Sequence, residues 1–552
     1  MEGVGGGARS GPAGRLAAWR SKRFAELLRR SGQVGNPGAL AEESVRASLK
    51  AALVAVPLSA AGALLFSPWL ALGCTAPLLF YAAPELRLRD QVAARREGVE
   101  RELPFFSVMV GVMGGAGVPL YSILKGVIRS DVFPAMRKEA QLVRRDVEIF
   151  GMNPNDSVDR LAARHPSARL RSFLLGYTSK ARSGGDVAAY LTSESGNLLR
   201  GLEDGWARYV ARVGIVGSMM ITMFGVVPLL LMVVGVFSPA FSILGLVFFT
   251  GVGVPVFTMA LLFLAGRMQP TPGEPLRGRA LKSLAVALPF SAPGYVAGAP
   301  WAAAALALFV FFATYGASVR GQIAEARAME EGLSKFLRDL LEYKKQEYDL
   351  SRAVIAIESQ GGHNRAFGTV LSKVAAMLRS GVPLDEVKVE CRSALGRLAF
   401  LLLGEMSRSG GGTVDTVFQV SSFSDRMIQM RRNAADEVKP YLVLSYVSPL
   451  LLAFGVTFVG GVLSSFGSRL RNGVQGVHIG GFHFGAVPPG LSQVSDLLIV
   501  VSAASLGLIG AKIMDLTVKN TLRASVNVAL AVGAVALMAA LGSPSAQGLL
   551  HI

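Results

Sequence analysis

Residues 102–120 read ELPFFSVMVGVMGGAGVPL, an apolar helix-forming run that closes on glycines and a Gly-Val-Pro turn. A second glycine turn follows at Gly151, then DSVDRLAAR from Asp156 to Arg164, then RLRSFLL over 169–175. The same order returns later in the chain. Asp349 opens the first turn, Gly381-Val382-Pro383 forms the second, and RLAFLL over 397–402 closes the unit. Pro119 and Gly151 map onto Asp349 and Gly381 at an offset of 230. Phe173, Gly184 and Gly185 map onto Phe400, Gly411 and Gly412 at 227, so one three-residue slip aligns the copies. An internal duplication sets the plan of a fold. Here it predicts two divergent helical units, polar outside, each set between apolar spans.

Of the 552 residues, 51% are hydrophobic and only 17% charged, with a mean hydropathy of +0.44. Soluble proteins carry roughly a quarter charged residues, so the chain is expected to be integral to a membrane. Two cysteines, Cys74 and Cys391, and five scattered histidines offer neither a disulfide framework nor a metal site.

The segments follow from hydropathy and breakers. Residues 1–50 form a basic cytoplasmic segment, glycine-rich to residue 13. Within it, 14–31 place Leu16, Trp19, Phe24, Leu27 and Leu28 on one helical face, with Arg15, Arg20, Lys22, Arg23, Arg29 and Arg30 around it. Such a helix either lies on anionic membrane lipid or packs on the soluble part. Residues 51–84 read as a transmembrane hairpin broken at Ser67-Pro68, spanning twice or re-entering. Residues 85–212 are a first helical bundle, cut by breakers at 114–117, 151–154 and 183–186, with Leu142, Val143, Val147, Phe150, Leu161, Leu170, Phe173 and Leu174 at helical spacing. Residues 213–318 hold four spans, 319–440 a second bundle, and 441–541 three more spans with an outside loop at 466–493 and an outside tail at 542–552.

That makes nine crossings, and the basic residues test their sidedness. With a cytoplasmic N-terminus the inside segments hold 54 of the 56 Lys/Arg, leaving Arg469 and Arg471 outside. Short segments dominate the positive-inside rule, and those at 1–50, 267–282 and 512–523 carry 9, 4 and 3. Both bundles are therefore expected in the cytoplasm. The net charge of +18 lies in flanks that face anionic headgroups, so nucleic acid is not a partner.

Catalytic chemistry finds no residues to stand on. Gly111–Gly117 and Gly410–Thr413 lack the Gly-Lys-Ser/Thr ending that puts a lysine on phosphate, and His478 and His483 have no ligand set around them. The span interiors carry no ionisable side chain, which weighs against a coupled transporter. A polytopic permease or passive channel with regulatory cytoplasmic domains stays open as the alternative. No enzyme activity, cofactor or metal is expected. The bundles do carry mixed-charge patches suited to docking another protein: Lys138, Glu139, Arg144, Arg145, Asp146 and Glu148 in the first, and Lys344, Lys345, Glu347, Asp349 and Arg352 in the second. Gly117, Gly151, Gly184, Gly185, Gly381, Gly411 and Gly412 are expected to be structural, ending helices.

A bundle that opens on Glu102-Leu103-Pro104, continues through Gly117–Leu120 and Gly151, and closes on Phe173 and Gly184-Gly185 resembles the F-domain family of type II secretion and type IV pilus platform proteins. The second copy fits more loosely, lacking the opening Leu-Pro and carrying Asp349 in place of Pro119. The additional spans make the chain similar to the archaeal branch that serves archaella and adhesion pili. The resemblance implies an all-α, polytopic membrane platform with two cytoplasmic F-type domains and the assembly expected of one, a homodimer. It implies binding of a cytoplasmic hexameric secretion ATPase, whose motion is coupled to extraction and assembly of pilin-like subunits. Residues 198–213, running from the first bundle into a span without proline, suit a stiff lever.

Overall fold

The computed structural model describes residues 12–32, 35–65, 76–231, 239–270, 276–296, 299–410, 412–473 and 491–541. Outside the described residues lie the glycine-rich start, the Ser67-Pro68 break, Ser238, Gly411, most of the loop at 466–493 with His478 and His483, and the tail at 542–552. The described residues are helical, with no strand among them. The chain forms two compact units, Met1–Leu199 and Arg200–Ile552.

In the first unit, α1 (Pro12–Ser31) and α2 (Pro37–Leu65) precede the 40-residue α3 (Ala76–Gly115). Phe24 and Leu28 of α1 pack with Ala41, Val45 and Leu88. Of the two sequence readings for this helix, the structure has it packed on its neighbours. Arg20, counted among its basic flank, is 1% exposed. Its guanidinium lies 3.6 Å from the Tyr81 ring centroid and donates to Ser44 Oγ at 3.2 Å.

The bundle proper is the end of α3 with α4 (Leu120–Arg129), α5 (Pro134–Glu148), α6 (Pro154–Arg164), α7 (Ala168–Arg182) and the start of α8 (Val187–Ile221). Local chemistry sets these boundaries. Gly117 at φ +80° makes the first turn, and Pro119 then sits at the N-cap of α4. Gly151 at φ +65° makes the second turn, and Asn153 caps α6 ahead of Pro154. Ser167 caps α7, and Gly184 at φ +67° follows its end. In α4, Leu120, Ile123, Leu124 and Val127 are buried at helical spacing. They enclose a core in which the Phe106 ring meets Phe133 and Phe173, each edge-on at 6.2 Å.

The second unit begins within α8, which passes through a π-turn at Thr222–Val226. After α9 (Pro239–Phe248), α10 (Val254–Met268), α11 (Ala280–Ala287) and α12 (Ala292–Val296), one 46-residue helix, α13 (Pro300–Lys345), runs from apolar into polar sequence. The second bundle adds α14 (Leu350–Gln360), α15 (Arg365–Arg379), α16 (Ala394–Ser409) and the start of the 60-residue α17 (Val414–Gly473). Then α18 (Leu491–Met514) and α19 (Leu522–Leu541) complete the unit. Pro440 and Pro449 lie inside α17 without ending it.

Six helices among the described residues are long and apolar enough to cross a membrane, against the nine crossings expected. Those not among them are the two halves of 51–84 and the segment 282–298. The latter is short α11, a 3₁₀ turn at Leu288–Ser291, then short α12. Pro289 and Pro293 each lack the backbone N–H that would continue the ladder. Span helices approach closely where one offers glycine: Gly316 faces the Leu522 backbone and Gly507 faces Ala524. A buried polar link joins three of them, with Asn527 Nδ2 donating to Ser445 Oγ at 2.9 Å and that hydroxyl donating to Leu506 O at 3.0 Å.

Candidate functional site

The two bundles share an element order. From α3 to α8 and from α13 to α17, a long helix is followed by a short one, a 15-residue one, one of 15 or 16 residues, and another long one. Specific contacts repeat with it. Phe106 meets Phe173, and in the second bundle Phe336 meets Phe400 at 5.7 Å. Ser167 caps α7 and donates to Glu100 at 2.9 Å; Ser393 caps α16 and donates to Glu330 at 3.4 Å. Gly151 and Gly381 both have positive φ. The bundles differ where the first has α6, because residues 384–393 of the second form no helix. Gly404 makes room there: a Cβ on it would stand 2.9 Å from Asp385 Cα.

This comparison accounts for Asp349 standing where the first copy has Pro119. Both residues are N-caps with nearly equal φ, −62° and −66°, and the Asp349 carboxylate accepts from Ser351 N–H at 3.0 Å. Proline presets that backbone angle, whereas aspartate supplies a cap. Glu347 holds the place of Gly117 and has φ +64°, a left-handed conformation unusual for a residue with a Cβ.

The first bundle is braced by buried charge. Arg95 pairs with Glu139, its Nε 2.8 Å from Oε1. Glu139 also stands 3.8 Å from His165 Nε2, and His165 is fully buried. His165 Nδ1 accepts from Ser167 N–H at 3.0 Å, and burial pulls its pKa down from 6.5 to about 4, so the ring is neutral. Glu102 accepts from the N–H groups of Ala135 and Met136 at 2.9 and 2.7 Å, serving the first turn of α5 from another helix. Burial raises its pKa against the pull of those two bonds and of Lys138.

The docking candidates of the first bundle all lie on α5. Lys138, Arg144 and Glu148 are exposed, and Arg145 is half-buried. Glu148 gathers Lys125 at 3.2 Å, the Tyr121 hydroxyl at 3.2 Å and Arg144 at 3.8 Å, and these contacts, Lys125 foremost, hold its carboxyl below the usual range. Asp146 is buried between Arg145 at 2.9 Å and Arg160 at 3.5 Å, and Glu139 belongs to the internal brace, so neither presents a surface. What sequence reasoning missed is apolar. Ile149 and Phe150 are 73% and 61% exposed, with the Arg145 guanidinium 5.6 Å from the Phe150 ring. Phe150 had been expected on the buried face, but α5 ends at Glu148 and the Gly151 turn leads the chain away before that periodicity reaches it. An exposed isoleucine–phenylalanine pair with an arginine stacked beside it is a recurrent kind of anchor for protein partners.

In the second bundle the candidates fall elsewhere. Lys344 and Lys345 are in the last turn of α13, Glu347 is in the turn after it, and Asp349 and Arg352 open α14. Lys345 pairs with Glu342 at 2.8 Å, and Lys344 Nζ donates to Tyr348 O at 3.2 Å. Their counterparts in the first copy are residues 114–122, not α5, so the two candidate patches occupy different places on their bundles. Among the structural glycines, Gly117, Gly151, Gly184 and Gly381 have positive φ, whereas Gly185 and Gly412 do not. Gly412 is instead a close-approach site, since a Cβ there would stand 2.7 Å from Leu350 Cδ1. Gly411 lies outside the described residues, and the left-handed cap of α16 is Gly410 at φ +67°. No group of acidic, histidine or cysteine side chains suited to a metal ion occurs among the described residues.

Residues 106–235 match the model of the protein family described as type II secretion system (T2SS), protein F. The matched segment takes in the first bundle from the Phe106 turn of α3 and follows α8 into its apolar half. No curated protein and no solved structure matches the chain.

Proposed function

We propose that this chain is the membrane platform of a type IV pilus-like or archaellum assembly machine of the archaeal kind. It docks a cytoplasmic secretion ATPase and couples the motion of that motor to extraction of pilin-like subunits and their assembly into a filament. The observation that carries this reading is the protein F match over a helical bundle whose last helix continues as a candidate span. The second bundle, with its repeated Phe–Phe and Ser–Glu contacts, is read as a second F domain. Both domains are assigned to the cytoplasm on the distribution of Lys/Arg, with nine crossings and the C-terminus outside, and two copies of the chain form the working assembly. In each bundle the last helix, α8 in the first and α17 in the second, passes from polar to apolar sequence and is the lever.

Deletion of the gene tests the reading. A platform mutant loses surface filaments, seen by electron microscopy, while its pilin subunits remain in the membrane. Normal filaments together with loss of uptake of a solute would sink the reading in favour of a permease.

A further inference from the structure

At the polar ends of four span-forming helices, the second unit has a half-open cavity of about 400 Å³. Trp206 of α8, residues 323–331 of α13, residues 428–436 of α17 and the turn after α18 line it. Two buried donors on its wall, Trp206 Nε1 and Arg431 Nε, have no acceptor among the described residues. Trp206 is 4% exposed, and its ring sits edge-on to Tyr209 at 5.9 Å, with the Tyr209 hydroxyl donating to Ile513 O at 2.7 Å. The indole is therefore built into the wall. A buried N–H left without an acceptor costs about 1–3 kcal/mol, so whatever fills the cavity is expected to bring acceptor oxygens.

The carboxylates lining the cavity are already matched. Glu330 takes Arg431 Nη1 at 2.6 Å, Glu331 takes Arg432 at 3.3 Å, Asp436 takes Lys439 at 2.6 Å, and Asp515 takes Arg523 at 2.7 Å and Arg327 at 2.9 Å. The donors left over on the wall are Trp206 Nε1 and Arg431 Nε, and the ion-paired side chains of Arg327 and Arg432, 62% and 58% exposed, carry further N–H groups. Apolar Leu276, Ile323 and Ile428 share the lining, which suits an occupant with an apolar part better than water alone.

We infer that this cavity binds a phosphate group, with its donors on the phosphate oxygens, and that the source is the headgroup of an anionic membrane lipid. Three arginines, Arg327, Arg431 and Arg432, line the cavity beside carboxylates that ion pairs already engage, and arginines at the ends of spans are suited to such headgroups. The inference rests on the membrane reading but not on pilus assembly, so it stands or falls separately from the deletion test. By bridging α8, α13 and α17, the headgroup would tie together helices that extend from both bundles.

The test uses the full chain, purified and delipidated in a neutral detergent. Retention of phosphatidylglycerol, of diacylglycerol with the same acyl chains, and of inorganic phosphate is measured by native mass spectrometry. Tryptophan fluorescence is followed in parallel. Phosphatidylglycerol is expected to bind and to shift an emission component that Trp206→Phe abolishes, and Trp206→Phe, which keeps a ring but loses the N–H, is expected to weaken binding about fivefold to tenfold. Arg432→Gln, a change at an exposed side chain, should weaken it to a similar degree and keeps the test decisive if Trp206→Phe disturbs folding. Binding of inorganic phosphate with the same dependence on both residues, without lipid, would support the phosphate site and assign it a soluble source. Equal retention of phosphatidylglycerol and diacylglycerol, or unchanged binding in both folded variants, would overturn it.

Discussion

Gly214 of α8 lies against Tyr441 of α17, and the two hold the same position in the repeated unit, since 441 less 214 is the offset of 227 that relates the starts of these helices. A Cβ on Gly214 would stand 2.8 Å from the Tyr441 hydroxyl, and one on Gly217 would stand 2.6 Å from its ring. Further along, Gly455 would meet Leu229 at 2.9 Å. The equivalent spans of the two copies therefore run parallel and nearly in register. Glycine on one helix admits a bulky side chain from the other.

That packing is testable by a double-mutant cycle. Gly217→Leu should destabilise the detergent-purified protein by about 1–3 kcal/mol through overpacking. Tyr441→Ala should remove most of that penalty when combined with it. Additive effects in thermal unfolding would mean that the two residues do not press on one another.

Glu347 is a second point of stored cost. A side chain in the left-handed region costs roughly 1–2 kcal/mol, which glycine avoids. Because glycine also makes the unfolded chain more flexible, Glu347→Gly should gain a net of about 0.5–1 kcal/mol. The reverse change, Gly117→Glu, should lower the thermal midpoint. A fall in midpoint for Glu347→Gly would contradict the equivalence of the two turns.

Buried His165 makes the first bundle acid-sensitive. The unfolded chain takes up a proton there near pH 6.5, while the folded bundle resists until about pH 4. Stability is therefore lost as pH falls through that window, by roughly 3 kcal/mol at full extent. In His165→Asn, whose side-chain oxygen can still accept from Ser167 N–H, that part of the slope should vanish. Thermal midpoints of the full chain between pH 7 and pH 4 measure it, and equal slopes for both proteins would exclude His165 as the cause.

The exposed end of α5 should serve docking. Phe150→Ser is expected to weaken ATPase binding tenfold or more without altering stability, as for an interface anchor. Arg144→Glu should act through charge, with its largest effect at low ionic strength, where attraction is least screened. Arg145→Glu is a poorer probe, because it would also leave buried Asp146 beside a new negative charge. Unchanged affinity of both Phe150→Ser and Arg144→Glu across salt concentrations would place docking elsewhere.

Much of this was legible in the sequence because glycine, proline and apolar spacing act locally. Gly117, Gly151 and Gly381 mark turns that the backbone takes at positive φ. What escaped depends on chain-distant partners. Arg20 looked like a surface cation and is buried because Tyr81, Ser44 and Glu85 converge on it. Glu102 opened a motif, but its part as a cap for α5 rests on a residue 33 positions away. Phe150 continued an apolar periodicity that its helix stopped short of using. The segment at 282–298 is hydrophobic enough to suggest a span, and Pro289 and Pro293 are the local signals that its helix is broken into short pieces.

The most direct measurement of the central claim is binding of the full chain, in detergent, to a cytoplasmic hexameric secretion ATPase. The platform account expects a complex that co-elutes in size-exclusion chromatography at low and moderate salt, and whose affinity drops with Phe150→Ser. Failure of the folded chain to bind the hexamer with ATP, with ADP and without nucleotide, at any salt concentration, would contradict it.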